Sequence, residues 1–274
     1  MTSEGNTVFE LFSFFHDAIW VALLTGAILG PVGLFLHLRR SLFLGAALPQ
    51  LAGFSFVLAT AVGVPVWMSA VVTILAFALF AAYKPLRAAD GLTLEALIAL
   101  GYTVSMAGIV LLLALTQAEA HAAELLLKGS VLAATCRDTQ LLAWFGVPLL
   151  GVLYVLRRIL YLVSLDPETA RTMGISVWRY EVLLFLALGL AITLTLTEAG
   201  ALACFGFLLI PALGALALCR QVSTMFLVSA VFGILGGLGG LSLALVRDLP
   251  AGPSMVVVLL AMWLLALLWR ALRR

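Results

Sequence analysis

The chain has 274 residues, 64% of them hydrophobic and 10% charged, with a mean hydropathy of +1.21 and a formal net charge of +2. That composition describes a polytopic membrane protein and leaves no length for a sizeable soluble domain. The 15 Lys and Arg are scattered rather than gathered in a tract, so nucleic acid is not an expected partner.

No Lys or Arg precedes the first apolar run, so no cleavable leader is expected. Hydropathy windows of about 19 residues then pick out about nine apolar spans. They lie at 18–38, 42–62, 66–83, 94–116, 139–163, 180–197, 200–219, 223–246 and 252–269. Each is near the roughly 20 residues that a helix needs to cross hydrocarbon, and the soft boundaries leave a count of eight or ten open. The stretch 117–138 reads as an outer loop whose short apolar part, 121–135, forms an interfacial or re-entrant helix. Residues 1–274 are thus expected to form a single all-α membrane domain.

A polar interruption separates the spans at 139–163 and 180–197. Within the segment 164–178, Asp166 is placed to cap a short helix and Pro167 suits its first position, where a missing N–H costs nothing. Glu168 complements the positive end of the dipole, and Gly174 can adopt the left-handed conformation that ends a helix. A membrane protein that folds a separate capped helix in one aqueous loop has a surface for a partner there, although an ordinary connecting loop has the same form.

Basic residues set the orientation. With nine spans and an outside N-terminus, Arg39, Arg40, Lys84, Arg87, Arg157, Arg158, Arg171, Arg179, Arg220, Arg270, Arg273 and Arg274 fall inside, and only Lys128, Arg137 and Arg247 outside. Twelve against three is a strong positive-inside asymmetry. It puts the C-terminus and the capped helix in the cytoplasm.

The late span at 223–246 carries Gly233, Gly236, Gly237, Gly239 and Gly240, read as small residues that let helices pack closely. Cys136, Cys204 and Cys219 have no paired spacing and form neither a disulfide framework nor a zinc motif. No phosphate-cradling Gly-x-x-x-x-Gly-Lys loop occurs, so any ATP is bound by another subunit. No nucleophile–base constellation marks an enzyme, and no cofactor is expected.

Four motifs in order carry a family resemblance. Arg39-Arg40-Ser41 followed by Gly45, the run Leu165 to Ala170 closed by Met173-Gly174, Gly200-Ala201-Leu202 leading to Leu208-Leu209-Ile210-Pro211-Ala212, and Asp248-Leu249-Pro250-Ala251-Gly252-Pro253-Ser254 together resemble the permease subunits of bacterial ABC importers for zinc, manganese and ferrous iron. The resemblance implies a multi-pass protein of the bacterial inner membrane, working as a pair of permease copies with cytosolic ATP-binding subunits and an extracytoplasmic binding protein. It makes 164–178 the coupling segment, in which Asp166, Pro167, Glu168, Ala170, Arg171, Met173 and Gly174 serve the ATPase. Met173, Ile175 and Val177 are expected to give it apolar contacts, with Glu168 and Arg171 fixing register.

One departure bears on the cargo. In the resembled family an aspartate usually follows the glycine matching Gly45, and a histidine stands four residues further on, one turn apart on one helix face where they can hold a divalent cation. Here those positions are Ala46 and Gln50. Alanine has no donor and an amide is a poor ligand for zinc, so no intramembrane metal ligand is assigned. Other polar groups near the pathway or its outer mouth are Gln50, His121, Glu124 and Glu198; His121 and Glu124 form an i,i+3 pair, with Glu119 nearby. Divalent metal is therefore the default cargo, with two alternatives: a chelated metal or non-metal solute carried by the same fold, or a stand-alone secondary carrier. The scarcity of intramembrane carboxylates speaks against the carrier.

Overall fold

The structure, a computed structural model, describes residues 15–39, 42–82, 94–116, 129 and 131–272. Every regular element among them is helical. They are α1 (His16–Leu38), α2 (Leu42–Val62), α3 (Val66–Ala82), α4 (Leu94–Thr116), α5 (Cys136–Leu165), α6 (Pro167–Thr172), α7 (Val177–Leu218), α8 (Val222–Arg247) and α9 (Ala251–Leu272), with a 3₁₀ turn at Val131–Ala133. Seven of these helices are long and apolar enough to cross a bilayer; α3, with 17 residues, is slightly shorter than those.

The core is built around α1. Of its apolar window, 83% is buried within the chain, against 11% for α4 and 17% for α9. In a membrane, apolar side chains gain little from leaving lipid, so helices associate where small residues let backbones meet. A Cβ added to Gly26 would lie 2.2 Å from the Gly233 carbonyl oxygen, and one on Gly33 1.8 Å from that of Leu208. The glycines of α8 divide between two neighbours. Gly233 and Gly237 abut α1 at Gly26 and Ala22, whereas Gly236 and Gly240 receive Leu259 and Met255 of α9. The glycine run is a packing device on two faces.

The spans expected at 180–197 and 200–219 form one 42-residue helical run, α7, broken only at Gly200 (φ 81°, ψ 160°). This region of backbone space is essentially open to glycine alone. The break is a sharp corner. Thr195 Oγ1 and Cys204 Sγ lie 3.5 Å apart, whereas nine residues of unbroken helix would separate their backbones by about 13 Å. Arg157 Nε also donates to Ser223 Oγ at 3.0 Å, which sets the start of α8 beside α5 and requires residues 201–218 to run back toward the end where α7 began. Gly200→Ala is therefore expected to cost about 1–3 kcal/mol of strain, seen as a lowered Tm in detergent. Gly151→Ala, where an added Cβ meets nothing within 4 Å, is expected to leave Tm unchanged.

The helix expected from residue 139 begins three residues earlier, at Cys136, because Asp138 Oδ2 accepts both the Thr135 amide (2.9 Å) and hydroxyl (2.6 Å). Its first turns pass through a π-helical stretch, Leu142–Gly146. Pro148 supplies no N–H to the ladder there, and Gly146 lies so close to α1 that a Cβ would meet Ile28 Cδ1 at 2.2 Å. The remainder of the outer loop, 117–128 and 130, lies outside the described residues.

Candidate functional site

Helix α6 is six residues long and held at both ends. Asp166 Oδ1 accepts the Thr169 amide at 3.0 Å, and the Thr169 hydroxyl donates to Oδ2 at 2.5 Å. These donors favour the charged carboxylate and hold Asp166 below the usual carboxylate range, so it remains an acceptor at neutral pH. At the other end Gly174 takes φ 78°, and the Ile175 amide donates to the Ala170 carbonyl at 3.0 Å.

Ala170 fastens this helix to the membrane domain. It is fully buried among Val163 and Val177, with Ile159, Leu162, Ile175 and Tyr180 around them. Two expectations are corrected here. Val177, at 4% exposure, packs inward, and Ala170, at 0%, is enclosed by the chain itself, while Ile175 is half-buried against them. The signal was available, since Val163, Ala170 and Val177 recur every seven residues across the polar break. Met173 (66% exposed), Glu168 and Arg171 are left as the accessible face. Beside it an open cleft of about 490 Å³ is lined by Gly174, Ile175, Ser176, Arg179, Tyr180 and Leu183.

Just beyond α6, Glu181 in α7 meets Arg39, which caps the end of α1. Arg39 Nη2 donates to Glu181 Oε1 at 2.5 Å, the side chains are 12% and 4% exposed, and the guanidinium lies 5.5 Å from the Phe185 ring centre. A buried pair of this kind costs roughly 3–5 kcal/mol when one partner is removed, because the other charge is stranded.

On α2, Ala46 and Gln50 stand one turn apart in half-buried positions. They lie beside the face formed by Leu44, Ala47, Leu48 and Leu51, which meets Ile98 and Gly101 of α4. Pro49 is buried within the helix. At the opposite end of the molecule from α6, Glu198 is 8% exposed, accepts the Thr197 hydroxyl at 3.1 Å, and is close enough to Asp138 to feel its charge. Gly129 closes over it, with an added Cβ 2.3 Å from the Glu198 carbonyl oxygen. Nearby, the Thr139 hydroxyl donates to Asp17 at 3.2 Å, and Trp20 donates to His16 at 2.9 Å. Among the described residues no three His, Cys, Asp or Glu side chains gather closely enough to hold a metal ion. His121 and Glu124 lie outside the described residues.

Residues 11–270 match the model of the ABC 3 transport family. The chain belongs to that family. Among the similar proteins, the manganese transport system membrane protein MntC of Halalkalibacterium halodurans is 27% identical, over 93% of this chain and 87% of that protein. The high-affinity zinc uptake system membrane protein ZnuB of Haemophilus influenzae is 26% identical, over 93% and 98%. Among solved structures, PsaBC from Streptococcus pneumoniae in complex with Fab superposes with a TM-score of 0.84 at 23% identity, covering 97% of this chain and 95% of that one. The fold of this ABC 3 member is therefore that of a membrane permease, multi-pass in the bacterial inner membrane.

Within this ABC 3 chain, sequence reading located α6 and its caps but missed the Arg39–Glu181 pair. In the sequence Arg39 enters through the charge asymmetry and the Arg39-Arg40-Ser41 motif, neither of which points to a buried partner. Its partner lies 142 residues away, and a single carboxylate at the start of an apolar span carries no pairing signal.

Proposed function

We propose that this chain is the membrane-spanning subunit of an ATP-driven importer of divalent metal, of the manganese, zinc or iron kind. The observation that carries the reading is the family match over 11–270, with similar proteins named for manganese transport and zinc uptake on either side of it. Counting the two arms of α7 separately and including α3, the described helices would make nine crossings with the termini on opposite sides, and the basic residues favour the N-terminus outside and the C-terminus inside. In this arrangement two copies enclose the pathway, an extracytoplasmic binding protein delivers cargo to the end bearing Glu198, and cytosolic ATP-binding subunits act at α6.

The chemistry of α6 supports that assignment. Met173 offers an exposed apolar knob on the same segment as the exposed Glu168 and Arg171, whose opposite charges fix register, and Ala170 ties the helix to the ends of α5 and α7. A closing movement of the ATP-binding subunits that drags α6 therefore moves both long helices.

A second reading follows from Ala46 and Gln50. A pathway without a carboxylate–imidazole pair suits a cation that is already ligated, so the cargo in this reading is a chelated metal or a neutral solute. Uptake by vesicles holding the permease, its ATP-binding subunit and the binding protein separates the two. Bare manganese, zinc or ferrous ion is expected to accumulate in an ATP-dependent manner that EDTA abolishes. Uptake that instead requires an added chelator selects the second reading, and no response to any metal in either form rules out metal as the cargo.

A further inference from the structure

We propose that the Arg39–Glu181 ion pair is a positioning contact that carries movement of α6 into α1, the buried helix on which the core is assembled. The inference rests on the reading of α6 as the site of ATP-driven coupling and adds the route by which its displacement reaches the interior.

The route is continuous in the structure. Ala170 locks α6 against Val163 and Val177, so α6, the end of α5 and the start of α7 move as one body. Glu181 stands one turn beyond Val177 on that body. It receives the hydrogen bond from Arg39, immediately after the last residue of α1. From there α1 reaches α8 through backbone contact at Gly26–Gly233 and the second arm of α7 at Gly33–Leu208.

Stability alone is a poor account of this pair. Bringing two charges out of water is costly, and well-packed apolar residues of similar volume often serve the fold as well or better. What an ion pair supplies and an apolar contact does not is fixed register. Apolar surfaces slide over one another, whereas a charged donor and acceptor in hydrogen-bond contact, screened from water by Phe185, resist displacement. The location fits that use, because the pair joins the start of α7, against which α6 is packed, to the most buried of the spans.

The experiment uses the complex of permease and ATP-binding subunit in lipid vesicles, with the binding protein added. Two quantities are read: retention of the ATP-binding subunit on purification, and stimulation of ATP hydrolysis by the cargo-loaded binding protein. Three variants are compared: Glu181→Gln, the apolar double Arg39→Met with Glu181→Leu, and the exchanged pair Arg39→Glu with Glu181→Arg. The first two are expected to keep the subunit at the wild-type level and to lose stimulation by roughly fivefold or more. The exchanged pair is expected to recover most of it. Wild-type stimulation in the apolar double overturns the inference, as does loss of the subunit from Glu181→Gln, which would make the pair a docking element. Disappearance of all three variants from the membrane also overturns it, by making the pair purely structural. The underlying reading of α6 fails differently: its own variants would then retain the subunit.

Discussion

Replacement of Gly233 by leucine is expected to remove the folded protein from the membrane. A Cβ at this position would lie 2.1 Å from the Gly26 carbonyl oxygen and 2.6 Å from its carbon. Both obstacles are backbone, so no rotamer change relieves the clash and α8 must retreat from α1 along its length. Overpacking a tight core costs about 1–3 kcal/mol even where side chains can yield; here a whole helix pair must part, and much of a net stability of order 5–15 kcal/mol is at stake. Fluorescence-detected size-exclusion chromatography of the tagged protein gives the readout. Val231→Leu, two residues away on the same helix but 51% exposed, serves as the control and is expected to elute like the wild type. A Gly233→Leu protein with a normal peak and yield would mean that α1 and α8 are not in backbone contact.

Glu168→Lys combined with Gly174→Val is expected to have the opposite profile, with the membrane domain intact and the ATP-binding subunit lost. Lysine at 168 puts a cation at the positive end of α6 and reverses one of the two charges that set register. Valine at 174 forces a β-branched residue into φ 78°, although its Cβ would meet no neighbour within 4 Å. The harm is thus confined to the ending of α6 and the direction of the chain into α7. Because Ala170 still anchors the helix, the elution profile should match the wild type. Co-purification of the ATP-binding subunit and ATP-dependent uptake should both fall, by roughly tenfold or more, a loss of about 1.4 kcal/mol in binding. Full retention of the subunit with normal uptake would remove α6 from the coupling role.

These two variants also mark what was legible in the sequence. Helix α6 was readable because its determinants are local: Asp166, Pro167 and Gly174 lie within nine residues, and each acts on its own stretch of backbone. The glycines of α8 were readable as packing residues, but not their division between α1 and α9, which depends on which late helices flank an early one. The sequence separates the spans 180–197 and 200–219 at residues 198–199, whereas the structure sets the break at Gly200. Since helical hydrogen bonding runs up to it on both sides, only its backbone angles reveal a corner rather than a loop. The inward turn of Val177 is not legible, because an apolar residue in a polar segment suits a partner as well as it suits the chain's own core; burial alone decides it. At Ala46 and Gln50 the sequence is as informative as the fold, because neither brings a charged ligand wherever α2 is placed.

The central position of α1 carries a consequence for biogenesis. It is the first long helix in the chain, yet the backbones it touches belong to α7 and α8, some 200 residues later. Non-local contacts of this kind close late and slowly. During synthesis the row Gly26, Gly30 and Gly33 must therefore wait in lipid, a bare groove on a helix that has entered the bilayer before its partners exist. A chain interrupted before α8 leaves the Gly26 and Gly30 part of that groove unfilled, on the helix that is most deeply enclosed in the finished protein.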